Sequence, residues 1–555
     1  MGSGFFEITL IICLATAMAI VFRIFKQPTI LAYILTGILI GPFGNLQLQG
    51  GDQLQMLGQL GITLLLFMMG LELKFKEFKT LGPVVAVAAA GQIGITALLG
   101  YGVSMLMGFS SISSLYLAIA LTFSSTIIIV KLLSDKRELN SLYGKISVGI
   151  LLIQDFLAVI LLMLLSSMTG SMDASSLIQN GVATILKGAG LVLGVGFLSR
   201  AFLPKIVHHF SKSSDVLFLF SISWVFLLAA IVSSPFIGFS IEIGGFLAGL
   251  ALANSVENVQ IAAHVRSLRD FFLTIFFVIL GMQMNFESMQ SVLFPAIILS
   301  IFVLIGKPAI VIGIMSLLGH RKRTAFLTGI SLSQISEFSL VMAFLGNALG
   351  HVPDSIVAII TMVCVITFVF SSYLMKSAGA LYSLFGKHLG MLERKGFAQQ
   401  DDTLSEALKN HVVLVGAHRM GETILEALLE EGETVVVIDF NPDIAVRLKD
   451  KKVKNIFGDI ADFEVQEKAG IENAKLLIST ISDEDANLLI IQRIKKAKSR
   501  TKVIMMALDK ETVKSLYKAG ADYVVMPHLL GGKHLAQLIK KDALGELNKL
   551  KEKES

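Results

Sequence analysis

Charge is what this chain has least of. Only 16% of its 555 residues are Asp, Glu, Lys or Arg, 54% are hydrophobic, and the mean hydropathy is +0.74. That balance excludes a water-soluble globular protein of this size. Cysteine is nearly absent: Cys13 and Cys364 each sit alone inside an apolar run, which excludes a disulfide framework and a thiol metal cluster. No small-residue cleavage site separates the first apolar run from the second, so the first is expected to be a retained span, not a removed signal peptide. What remains is a polytopic α-helical membrane protein whose solvent is the lipid bilayer.

Apolar runs of about 20 residues, enough to cross roughly 30 Å of hydrocarbon, occur thirteen times: near 5–25, 28–46, 54–73, 82–107, 113–133, 146–168, 180–203, 215–234, 239–254, 270–286, 290–318, 324–347 and 354–375. Basic residues alternate between the loops. Arg23, Lys74, Lys136, Arg200, Arg266 and Arg321 mark the odd loops, while the even loops hold neither Lys nor Arg. The positive-inside rule then puts the odd loops and the C-terminal region in the cytoplasm and the N-terminus outside.

The membrane part repeats itself. "GLELKF" (Gly70–Phe75) ends span 3 and "GMQMNF" (Gly281–Phe286) ends span 10; "GILIGP" (Gly37–Pro42) lies in span 2 and "GFLAGL" (Gly245–Leu250) in span 9. Both matches are seven spans apart, and an odd offset inverts the second copy, an arrangement found in many secondary transporters. The same offset pairs "LTFSSTII" in span 5 with "ISLSQISEFSL" in span 12. Hydroxyl clusters can partner main-chain groups freed by unwinding, so each span is expected to break there, around Ser124, Ser125 and Thr126 and around Ser331 to Glu337. The alternative is that these are small residues for close packing.

Asp155 lies in the middle of span 6, in "GILLIQDFLAVILLML". An intramembrane carboxylate is costly and marks an ion path or proton relay, and one held between desolvation and a nearby cation can trade a proton for a monovalent ion. Lys307, before Pro308 in span 11, is equally central; it is either a counter-charge displaced during transport or a fixed partner of Asp155 or Glu337. A permanent Asp155–Lys307 ion pair is the structural alternative for both. Glu337 either lines the cation path or stabilises the interrupted segment. Glu242, Lys187 and Glu72 sit nearer span ends, where snorkelling accounts for them.

In order, "GILIGP", "LLLFMMGLELKF", "SSTIII", "IQDFLAV", "GFLAGLALA" and "SQISEFSLV" resemble the cation:proton antiporter-2 family, particularly Kef-type potassium/proton antiporters. The resemblance implies an antiporter fold with crossed broken helices and a homodimer with an elevator-like core. It also implies that Asp155 exchanges K+ for H+, and the pair Gln154–Asp155 is similar to the potassium type. The transported cation would be held by Asp155, Gln154, Ser125 and Thr126. The resemblance places such a protein in a prokaryotic-type inner membrane.

After residue 375 the composition changes. Residues 376–409 form a polar linker, residues 410–541 a cytoplasmic α/β Rossmann-like domain, and residues 542–555 a charged tail. "HVVLVG", "TVVVID", "NIFGD", "KLLISTI", "KVIMMAL" and "DYVVMP" read as six strands alternating with helices, the rhythm of a doubly wound parallel sheet. The first turn, "GAHRMGE", carries Gly416 and Gly421 at the outer positions of G-x-G-x-x-G, with His418 at the middle one and Arg419 and Met420 beside it. A side chain at the middle position crowds a pyrophosphate, so AMP is as credible as NAD(H), and an empty structural site stays open. Asp439 is spaced to accept a ribose hydroxyl.

This domain resembles the regulator-of-potassium-conductance, or TrkA-N, type. That implies dimerisation and control by a nucleotide (AMP, NAD(H) or ATP), with Asp459 a further contact. The segment "NSVENVQIAAHVRSLRD" lacks the acidic signature expected of glutathione gating; a cytoplasmic regulatory partner is a further expectation of the resemblance. No feature points to nucleic acid. The alternatives are a sodium/proton exchanger of the same fold, and a nucleotide-gated potassium channel, for which no TVGYG-like filter is present. A membrane dehydrogenase would need a second pocket that nothing near the turn supplies, so a transporter and not an enzyme is expected.

Overall fold

The computed structural model describes residues 3–41 (26 excepted), 51–72, 82–166 (137 and 140 excepted), 187–282 (189, 192, 200–202, 211–212, 235–236, 254 and 256 excepted), 289–385 and 408–540 (419, 440–443, 445–446, 449–450 and 452 excepted). The chain divides into two compact units, Met1–Asp135 with Tyr143–Leu392, and Lys136–Leu142 with Glu393–Ser555.

All thirteen expected spans contain helix among the described residues. Seven helices, counting span 5 as one, are long and apolar enough to cross a bilayer by themselves, and four shorter apolar ones accompany them. Helix and apolar run do not end together everywhere. Span 10 is helical from Asn258 to Met282, about three turns earlier than its hydropathy indicates, because Arg266 and Arg269 are good helix formers that lie outside the apolar stretch.

Two glycine crossings lock the two copies of the repeat together. A Cβ on Gly37 would land on the carbonyl oxygen of Val278, and one on Gly281 would land on that of Ile34; likewise Gly249 abuts the carbonyl of Phe67 and Gly70 that of Phe246. Span 2 therefore crosses span 10 as span 9 crosses span 3, backbone against backbone, which only glycine permits. The correspondence reaches individual atoms: Gly37 faces Val278 O and Met282 N, and Gly249 faces Phe67 O and Leu71 N. This corrects the register read from sequence. Gly37 is equivalent to Gly249, not to Gly245, so the match of "GILIGP" to "GFLAGL" slips by one helical turn in a glycine-rich run.

Among the described residues the second unit holds six parallel strands: β1 (Val412–Val415), β2 (Val435–Asp439), β3 (Lys454–Phe457), β4 (Leu476–Ser479), β5 (Lys502–Met506) and β6 (Tyr523–Val525). Their order is β3-β2-β1-β4-β5-β6, with Val412 beside Val435 on one side and Leu476 on the other. Alternate side chains feed two cores, Val413, Val415, Val436 and Ile438 in one and Val412, Leu414, Val435 and Val437 in the other, as a sheet covered on both faces requires. The order reverses between β1 and β4, and ligands of such sheets bind at the carboxyl ends of the strands at that point.

Candidate functional site

Spans 5 and 12 are both interrupted. Span 5 runs as Ser111–Thr122, an unwound stretch Phe123–Ser125, and Thr126–Asp135; span 12 runs as Lys322–Ser331, then Glu337–Ala348 after unwound residues 332–336. The unwound residues of the two spans touch. Ser124 Oγ donates to Leu332 O at 3.1 Å, and Gln334 Nε2 donates to Ser125 O at 3.4 Å. Hydroxyl and amide side chains thus replace helical hydrogen bonds where the bilayer offers no water.

Asp155 is buried on span 6, a helix of Leu142–Ser166. Because that helix starts at Leu142, the carboxyl lies about 20 Å along it, one turn deeper than the apolar run suggests. Thr126 Oγ1, at the start of the second half of span 5, donates to Asp155 Oδ2 at 2.8 Å. The neighbouring Gln154 faces the break: its Oε1 accepts from Ser124 N–H at 2.9 Å, and its Nε2 donates to Gln92 Oε1 on span 4. Gln92 Nε2 in turn donates to Thr122 O at 3.0 Å and Thr96 Oγ1 at 3.2 Å. The carbonyl of Gln154, expected on the cation, is thus engaged by the main chain of span 5.

Lys307 is fully buried. Its ammonium donates to Phe123 O at 2.8 Å and to Gln334 O at 3.0 Å, main-chain carbonyls of the two breaks, where partial negative charge collects at the ends of half-helices. Among the described residues its partners are these carbonyls, so the fixed ion pair weighed for Asp155 and Lys307 is replaced by a bridge between two backbones. A π-helical turn, Phe302–Gly306, precedes Lys307. Pro308 offers no N–H to the ordinary ladder, and wider turns of this kind recur beside functional side chains.

Span 13 treats the span 12 break as span 6 treats the span 5 break. Thr367 Oγ1 accepts from Ile335 N–H at 3.4 Å, and Ser371 Oγ donates to Gln334 Oε1. Glu337 is buried as the first residue of the second half-helix, with Ser336 Oγ donating to its carboxylate at 3.4 Å and Ser125 its other hydroxyl neighbour. Gln92, Thr96, Thr367 and Ser371 escaped the sequence reading. A lone amide in "AAAGQIGIT" is itself a signal, since polar groups inside a membrane face the bundle interior.

In the second unit, Gly416 follows β1 with φ +84°, a conformation costly for other residues, and a Cβ on Gly421 would land on its carbonyl oxygen. Helix Met420–Glu430 starts from this turn. Asp439, at the end of β2, accepts Ala417 N–H through Oδ2 at 2.9 Å, so the carboxylate expected at a ribose also fastens the turn. His418 is exposed, Arg419 lies outside the described residues, and Asp459 Oδ1 accepts Ala461 N–H at 2.9 Å. Sequence reasoning missed Arg447, which pairs with Glu422 Oε1 at 3.0 Å beside the turn.

Comparison with known proteins agrees with both units. Residues 9–376 match the family described as sodium/hydrogen exchanger, transmembrane, and residues 412–527 match the TrkA-N domain. The chain is 27% identical to the putative cation/proton antiporter YbaL of Escherichia coli (strain K12), covering 93% of this chain and 94% of that protein. It is 25% identical to the putative K(+) efflux antiporter KefB of Alkalimonas amylolytica, covering 92% of this chain and 77% of that one. The sodium proton antiporter MjNhaP1 of Methanocaldococcus jannaschii aligns over 70% of this chain and 98% of its own at 17% identity and a TM-score of 0.53, a likeness of fold.

Proposed function

Because the chain belongs to the sodium/hydrogen exchanger family and carries a TrkA-N domain, we propose that it is a secondary antiporter exchanging K+ for H+ across a prokaryotic-type inner membrane, regulated by a nucleotide. The observation that carries this reading is the Thr126–Asp155 hydrogen bond at the crossing of two broken spans. A carboxylate there can release its proton to one side, take a dehydrated cation with the hydroxyls of Thr126 and Ser125 and main-chain oxygens as ligands, and be carried to the other side. One site holding either ion makes the exchange obligatory. Potassium is favoured by the names of relatives, a putative K(+) efflux antiporter among them, and by the Gln154–Asp155 pair. In this reading Gln154 and Lys307 shape the crossing, and Glu337 holds the second break.

Residues 1–375 would form the exchanger, 376–409 a linker, 410–541 the regulatory domain and 542–555 a charged tail. A homodimer joined through both domains, with an elevator-like core, fits the family. AMP, NAD(H) or ATP would sit at the Gly416–Gly421 turn against Asp439, with Asp459, His418, Arg419 and Met420 around it, and would act by binding one transport state more tightly than the other. Proton flux driven separately by K+, Na+ and Li+ gradients in vesicles of purified protein tests the exchange. Asp155→Asn should abolish it; persisting K+-coupled flux in that variant refutes the assignment.

A further inference from the structure

Three hydrogen bonds, with donors running in one direction, close a ring around Phe123. Ser124 N–H donates to Gln154 Oε1, Gln154 Nε2 to Gln92 Oε1, and Gln92 Nε2 to Thr122 O; the chain from Thr122 to Ser124 completes it. Both ends are main chain, where a carbonyl can only accept and an N–H can only donate. That fixes each amide. With Gln92 turned over, its oxygen would face the oxygen of Thr122; with Gln154 turned over, its amino group would face Ser124 N–H. The remaining N–H of Gln92 is engaged as well, by Thr96 Oγ1 at 3.2 Å, so Gln92 presents a single acceptor to residue 154 and nothing else. All of these groups are buried: Gln92, Thr96, Thr122, Ser124 and Gln154 are each at most 1% exposed. An unmatched pair of acceptors there carries the full cost of desolvation.

We propose that Gln92 is the specificity-determining positioning residue of the exchange site: by donating to Thr122 it turns its own carbonyl on residue 154, requires a donor there, and so withdraws the Gln154 carbonyl from the transported ion. Residue 154 then selects cations by fixing the shape of the break that carries Ser125 and Thr126, beside Asp155, and not by ligating them. A carboxylate at 154 would set oxygen against oxygen at Gln92, and a shorter amide would reach Ser124 or Gln92 but not both. Selectivity therefore belongs to the pair of residues on spans 4 and 6. This deepens the exchanger reading and rests on it.

The test is a double-mutant cycle on the full-length protein in vesicles, reading the ratio of apparent KM values for K+ and Na+ in cation-driven proton flux. Gln92→Leu should shift that ratio by about threefold or more, the equivalent of one hydrogen bond. In a Gln154→Leu background the same substitution should add nothing, since the residue through which it acts is gone. A Gln92→Leu protein with slower flux but an unchanged ratio overturns the proposal, as does a further shift in the Gln154→Leu background. If Gln92→Leu does not yield a monodisperse protein in detergent, Gln92→Asn, one methylene too short to span its partners, replaces it in the same cycle. Absence of cation-coupled flux in the wild-type protein refutes the exchanger reading instead, and is distinguished from failure of the relay by that control.

Discussion

The ammonium of Lys307 donates to the carbonyl of Phe123 at 2.8 Å, and with the same group to Gln334 O it ties the unwound parts of two spans to a third. Replacing it leaves two buried acceptors without a charged donor. Lys307→Met should therefore lower the stability of the detergent-solubilised protein by roughly 3 kcal/mol, seen as a lower apparent melting temperature. Adding Asp155→Asn should not restore it. Recovery in the double variant would instead identify Asp155 as the chief partner of Lys307.

Thr126 supplies one hydroxyl to Asp155. Thr126→Val keeps the shape of the side chain and removes the donor, so the cation loses a ligand while the helix is kept. Apparent affinity for the driving cation should fall about tenfold, the equivalent of one good polar contact, with maximal flux less affected. Thr126→Ser, which keeps the hydroxyl, should recover most of the loss.

Asp439 has two tasks that substitution separates. Asp439→Asn keeps an oxygen that can accept Ala417 N–H but loses the negative charge, and Asp439→Leu loses both. Calorimetric titration with AMP and NADH should show weakened binding for Asn with stability unchanged, and for Leu weakened binding together with a less stable domain. Equal affinity in all three proteins would remove the ribose assignment.

His411 gives the C-terminal unit a pH dependence. Its Nε2–H donates to Ala469 O at 2.8 Å, its Nδ1 is buried without a partner, and burial holds its pKa below the ordinary 6.5. The unfolded chain then binds the proton more readily than the folded one, so stability is fully present above about pH 6.5 and declines as pH falls below it. The protection factors of β1 amides in the full-length protein, corrected for the intrinsic pH dependence of exchange, should fall between pH 7.5 and 5.5, and His411→Gln should flatten that change.

Much of this was legible in the chain itself. Hydroxyl clusters at Ser124–Thr126 and Ser331–Ser336 marked both interruptions because those side chains compete with helical hydrogen bonds. The six β-branched runs and the glycines at 416 and 421 gave the strand count and the first turn, since buried parallel strands and tight turns constrain composition locally. Partners across space were another matter. That Lys307 meets carbonyls and not a carboxylate, and that Gln92 meets Gln154, depends on how spans far apart in sequence cross. Periodicity within one span carries no such information. The slip from Gly249 to Gly245 has a related cause: in a run such as "GGFLAGL" several glycines satisfy the same pattern, and only the facing backbone decides among them.

The twin crossings, Gly37 on Gly281 and Gly249 on Gly70, repeat one backbone contact in both copies of the repeat. In the exchange proposed above, a scaffold with that property would let its halves trade conformations without new surfaces, so that an opening on one side of the bilayer would become an opening on the other. Methyl groups placed on all four glycines would wedge both crossings apart without altering Asp155 or Thr126.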